Sequence, residues 1–123
     1  MYKFNKMNTM RFLLTIVLVG FLSMTTSSCH KCKGENPNAR IVNNGTSNAS
    51  VQVKTSGGNT ININNVASGT ASAYASYAAG DVTFTITVST VNYMKTVNVS
   101  QCYNYDIAID ASNNITVKVI NRN

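Results

Sequence analysis

Cys29-His30-Lys31-Cys32 is the one place in the chain where residues able to ligate a metal stand close together. Two cysteines separated by two residues, with a histidine beside them, form a common ligand arrangement. Covalent haem attachment, however, wants the histidine after the second cysteine. A closed zinc site needs four ligands, and here the only further thiol is Cys102 and there is no second histidine. The motif therefore predicts neither a metal nor a cofactor. Asp106 and Asp110 are the closest acidic pair beyond the leader. On a strand rising about 3.3 Å per residue their attachment points stand roughly 13 Å apart. A glycosidase pair needs carboxyls about 5 to 9.5 Å apart, so solvated strand-face carboxylates are expected instead. Asp81, Asp106 and Asp110 with asparagine oxygens form nothing resembling a known calcium loop.

The rest of the catalytic inventory is thin. The 123 residues hold four acidic side chains, one histidine and no tryptophan, and there is no glycine-rich phosphate loop, so no catalytic residue and no enzymatic activity are expected. Tyr74, Tyr77, Tyr93, Tyr103 and Tyr105 are candidates for an aromatic surface that binds a protein or a glycan, because tyrosine offers flat apolar area with a polar tip. Packing in the core or on a sheet face is the competing fate. The Asn-x-Ser/Thr triplets at Asn44, Asn48, Asn98 and Asn114 are expected by chance in a chain so rich in these residues, and carry no message.

The elements that must position these groups begin with a leader. Lys3, Lys6 and Arg11 form a basic segment, Phe12 to Leu22 is an apolar run, and small polar residues from Ser23 lead to Cys29. The apolar run falls well short of the roughly 20 residues a membrane-crossing helix needs, so a secretory leader is expected. The stretch Thr26-Ser27-Ser28-Cys29 resembles the lipobox of bacterial lipoproteins. That resemblance implies cleavage before Cys29 by signal peptidase II and acylation of the Cys29 sulfur, with palmitate-type chains holding the protein at a membrane of the bacterial cell envelope, on the periplasmic or surface face of the outer membrane. Each buried methylene is worth about 0.8 kcal/mol, so two or three chains suffice without a transmembrane helix. Cleavage near Ser28 by ordinary signal peptidase, releasing a soluble protein, is the alternative.

The formal charge of +6 does not survive as a nucleic-acid footprint. Three of the cations lie in the leader and two, Lys31 and Lys33, just after it. From Asn38 onward five cations face three anions with no basic stripe, so no nucleic-acid partner is expected. Lys31 and Lys33 would lie near lipid headgroups. With Cys29 acylated, Cys32 and Cys102 remain in an exported protein, as a candidate disulfide closing nearly the whole domain or as two free thiols.

Residues 1–28 are thus read as leader, 29–38 as the lipidated cysteine and a short flexible tether (KCKGENPN over 31–38), and 39–123 as the folded domain. Beyond the tether the apolar period is two. Val82, Phe84, Ile86 and Val88 alternate with Thr83, Thr85 and Thr87, and similar alternation recurs at Val51/Val53, Ile61/Ile63, Tyr105/Ile107/Ile109 and Ile115/Val117/Val119. Turn residues punctuate these runs at 43–45, 56–59, 68–69, 80–81 and 112–114. The pattern predicts strands near 39–43, 49–55, 59–66, 70–78, 81–90, 93–100, 103–110 and 114–121. With no helix to make a parallel crossover, the fold expected is all-β, a small antiparallel β-sandwich of about seven or eight strands. The alanine-rich 71–79 segment would also suit a helix, but its neighbours and length favour strand. From Ala39 onward, Ala39-Arg40-Ile41-Val42-Asn43, then Gly69 and Tyr74 before the Ala79-Gly80 turn into the Val82 strand, resemble a group of bacterial surface-protein domains with immunoglobulin-like or transthyretin-like sandwiches. No activity comes with that resemblance. The function expected is a lipid-anchored structural or binding module. The alternative is a subunit that assembles by strand addition, because the Thr- and Asn-rich strands leave sheet edges poorly guarded.

Overall fold

The computed structural model describes residues 31–123, so the expected leader, Cys29 and His30 lie outside the described residues. The described chain is all-β, with nine strands: β1 (Asn38–Asn44), β2 (Ala49–Lys54), β3 (Thr60–Val66), β4 (Thr70–Ala71), β5 (Ala75–Ser76), β6 (Gly80–Val88), β7 (Val91–Val99), β8 (Tyr103–Asp110) and β9 (Ile115–Asn121). They form a sandwich of two sheets. One runs β4-β1-β8-β9, with β5 also paired to β1, and the other runs β3-β2-β6-β7.

The period-two pattern decides which side chains meet between the sheets. Ala39, Ile41, Tyr105, Ile107 and Ile109 from the first sheet close on Ala49, Val51, Val53, Val82, Phe84 and Ile86 from the second, all of them buried. In β3 the apolar period slips, since Ile61 and Ile63 are followed by Val66. The β2–β3 register shifts at that point and Asn65 takes a φ of 57°, a bulge that returns Val66 to the core.

Antiparallel pairs dominate both sheets, as expected of a small antiparallel β-sandwich, with one parallel pair among them: β1 runs parallel to β8 from Asn38 opposite Asn104 to Asn44 opposite Asp110. No helix is needed for that crossover. The chain leaves β1 into the opposite sheet and returns through it, so that sheet is itself the connection. Two strand limits need correction. The strand expected at 70–78 is broken into β4 and β5, which pair with the two ends of β1. Between them Ser72 joins Ile41 twice, its N–H donating to the Ile41 carbonyl and its hydroxyl accepting from the Ile41 N–H, and this side-chain bridge interrupts the ladder. The turn after β6 falls at Ser89-Thr90, with Ser89 at a φ of 57°, two residues earlier than the strand limits implied. Pairing Val88 with Val91 keeps Tyr93 and Val97 on the inner face opposite Ile86 and Val82.

The topology gives the sandwich two poles. One gathers residues 32–37, the β2–β3 turn, Ala78-Ala79, the β7–β8 turn and the residues after β9. The other gathers the loops 45–48, 67–69, 89–90 and 111–114.

Candidate functional site

Cys32 and Cys102 are joined by a disulfide at the first pole, their Cα atoms 5.6 Å apart across 70 residues of sequence. Cys102 lies in the β7–β8 turn with a φ of 65°, a conformation few non-glycine residues adopt. The turn is held from both sides. Its Cys102 N–H donates to the Glu35 carbonyl at 3.0 Å, and its Cys102 carbonyl accepts from the Arg122 N–H at 3.0 Å. Just beyond, the Ser100 N–H donates to the Tyr105 hydroxyl at 2.9 Å.

The same pole fixes the segment read as a tether. Arg122 donates to a Glu35 carboxylate oxygen at 3.0 Å and to the Asn36 carbonyl at 2.6 Å. The Pro37 carbonyl accepts from the Tyr77 N–H at 3.0 Å, and Pro37 itself is fully buried. The reading of 31–38 as a free tether is therefore corrected: from Cys32 onward the segment is part of the folded unit, which begins before residue 39. Nothing in the sequence links Glu35 to Arg122. They stand at opposite ends of the domain with no shared spacing, and only the closing of β9 beside β8 brings them together.

A second polar group forms on the outer face of the first sheet. The parallel register sets Arg40 opposite Asp106. The guanidinium donates to both carboxylate oxygens, at 2.7 and 3.0 Å, and the Tyr74 hydroxyl donates to one of them at 2.6 Å. The Arg40 guanidinium carbon also lies 4.7 Å from the centre of the Tyr74 ring. Hydrogen bonding from Arg40 holds the Asp106 carboxyl below the usual carboxylate range, and the bond to Asp106 pushes the Tyr74 phenol up. The arrangement keeps Asp106 ionised and its oxygens occupied, which suits a fixed face better than a proton donor.

The other expected groups are dispersed. Asp110 accepts from the Ser112 and Asn114 N–H groups at 2.8 and 2.9 Å, closing the β8–β9 loop, and the bond from Asn114 leads the lowering of its pKa. Asp81 accepts from Asn98 at 2.8 Å. The five tyrosines do not form one surface. Tyr77 is buried edge-on to Phe84 with ring centres 6.3 Å apart, Tyr105 is buried beside the Ser100 turn, Tyr93 and Tyr103 are half-buried, and only Tyr74 is well exposed, at 39%. Among the described residues no group of histidine, cysteine and acidic side chains could hold a metal ion, and no helix is long and apolar enough to cross a membrane. Cys29 lies outside the described residues.

No family model matches the chain, and no curated protein is significantly similar to it. Among solved structures, the NMR structure of a protein from Eubacterium rectale is 18% identical and aligns over 71% of this chain and 90% of its own, with a TM-score of 0.47.

Proposed function

We propose that this chain is a lipid-anchored, non-catalytic β-sandwich module of the bacterial cell envelope, held through an acylated Cys29. One observation carries the reading. The chain has three cysteines, and two of them are consumed by the Cys32–Cys102 disulfide. A disulfide suits an exported protein, and the odd cysteine of an exported protein asks for its own chemistry. Cys29 follows the leader at the position where lipid is attached. The disulfide also takes Cys32 out of the Cys29-His30-Lys31-Cys32 motif, which supports the reading of that motif as an anchor rather than a ligand set. The absence of catalysis is supported by the structural partners of Asp81, Asp106 and Asp110. The test is intact-mass analysis of the mature N-terminus beside a Cys29→Ser variant. Acyl mass on Cys29, and loss of membrane partition in the variant, are expected; a bare N-terminus in the native protein overturns the reading.

Assembly by strand addition is the second reading, and one edge favours it. The edge strand β7 carries Lys95 on its inner face and β9 carries Lys118, while β4 and β5 are only two residues long each. The edge strand β3 (TININNV) has no charge and no proline to deter pairing. A size measurement over a range of concentrations decides it: growth that Asn62→Lys abolishes supports assembly, and a monomer throughout removes it.

A further inference from the structure

We propose that the disulfide pole of the sandwich is a docking surface for anionic lipid headgroups, so that the anchored domain stands upright on the bilayer with its opposite pole presented outward. The proposal rests on the anchor reading above and adds an orientation and a lipid class to it.

Charge is distributed along the long axis of the sandwich. Among the described residues, Lys31, Lys33, Lys54 and Arg122 lie at the disulfide pole and are joined there by Glu35 and Asp81, with Arg122 paired to Glu35. Lys31, Lys33 and Lys54 are exposed. Arg40, Lys95 and Lys118 lie at the waist, where Arg40 is taken up by Asp106. The far half holds no lysine or arginine, and Asp110 is its only charge. Its loops, 45–48, 67–69, 89–90 and 111–114, contain only Gly, Ala, Ser, Thr and Asn. The pole that attracts an anionic surface is thus the one that the anchor approaches.

Distances make the asymmetry count. Two residues, His30 and Lys31, separate Cys29 from Cys32, and a fully extended chain reaches about 11 Å over those three steps. Cys32 is bonded into the pole and Glu35 to Pro37 are held by Cys102, Arg122 and Tyr77, so no slack follows the disulfide. An acylated Cys29 therefore keeps the pole near one Debye length, about 8 Å at physiological salt, from the headgroup plane. Strands of seven to nine residues put the far pole about 25 Å further out, beyond several screening lengths. Only the pole cations can feel the lipid. Each is worth about a fivefold gain in docking.

The test uses the full acylated protein, purified from membranes and reconstituted into phosphatidylcholine vesicles with and without phosphatidylglycerol, with hydrogen exchange read loop by loop. On the anionic vesicles, exchange across residues 31–35 and 55–59 is expected to slow several-fold, while 45–48, 67–69 and 111–114 exchange as on neutral vesicles. The difference disappears in high salt and in a Lys31→Gln/Lys33→Gln/Lys54→Gln variant, and it persists in Lys95→Gln. Equal exchange at both poles, or protection of the far loops instead, overturns the docking. Intact mass of the same preparation reports the anchor separately. An acylated Cys29 with an unprotected pole defeats the docking alone, whereas an unmodified Cys29 defeats the anchor reading and the docking with it.

Discussion

Arg122, at the end of the domain, donates to Glu35 and to the Asn36 carbonyl, so the last residues of the sandwich clamp the first. The clamp sits beside the Cys32–Cys102 bond. Covalent and polar closure thus act on the same few residues at one pole, and this local rigidity turns a nominal tether into a seat.

Removing the disulfide should cost most of what loop closure provides. For a bond spanning 70 residues the chain-entropy model gives roughly 4 kcal/mol. Cys32→Ser/Cys102→Ser is expected to lose about 2–4 kcal/mol in urea unfolding and to melt about 8–30 °C lower, on the usual scaling for a small domain. A double variant within about 0.5 kcal/mol of the native protein would show that the remaining contacts already hold the pole.

Asn43 is a polar keystone of the opposite pole. Fully buried, it donates to the Ser47 and Val66 carbonyls, both at 2.8 Å, and accepts from the Gly45 N–H at 3.0 Å. Asn43→Leu strands these backbone groups in the interior, and a loss of about 3 kcal/mol is expected. Equilibrium unfolding measures it, and an unchanged midpoint contradicts the role.

The Arg40–Asp106–Tyr74 group predicts a pH dependence with a definite sign. The folded pKa of Asp106 lies below the ordinary carboxylate value because Arg40 bonds to it, and that of Asp110 is lowered as well. Their contribution is fully present above about pH 4 and is lost as pH falls through the lowered folded values. Tyr74 behaves in the opposite sense. Its raised folded pKa means a contribution present below about pH 10 and lost as pH rises through the raised value. Urea midpoints measured from acid to alkali should fall at both ends. Asp106→Asn should flatten the acid limb in part, Asp110 supplying the remainder, and Tyr74→Phe should flatten the alkaline limb in part, the remainder coming from Tyr77, whose phenol is pushed up by burial.

Two glycines contrast a position that is both strained and crowded with one that is neither. Gly80 has a φ of 127°, and an added Cβ would lie 2.9 Å from the Ser56 Cβ, whereas Gly57 would meet nothing within 4 Å. Gly80→Ala is expected to cost about 1–3 kcal/mol and Gly57→Ala close to nothing. Thermal melts of the two variants check the contrast, and equal effects would remove the conformational argument.

Much of this was legible in the residue order because its cause is local. Alternation such as Val82, Phe84, Ile86 and Val88 states which face of a strand avoids water, and it marks five of the seven long strands, β2, β3, β6, β8 and β9, with their inner faces. The proposed leader and anchor at Cys29 rest on an equally local signal, a short motif after an apolar run, and lie outside the described residues. What alternation leaves open is which strand lies beside which. The parallel pairing of β1 with β8, the meeting of Arg40 with Asp106, the choice of Cys102 as the mate of Cys32 and the clamp of Arg122 on Glu35 all join residues 66 to 87 positions apart. They exist only because two sheets close over one core, and closure depends on the shape of the whole packed set, not on the period of any one segment.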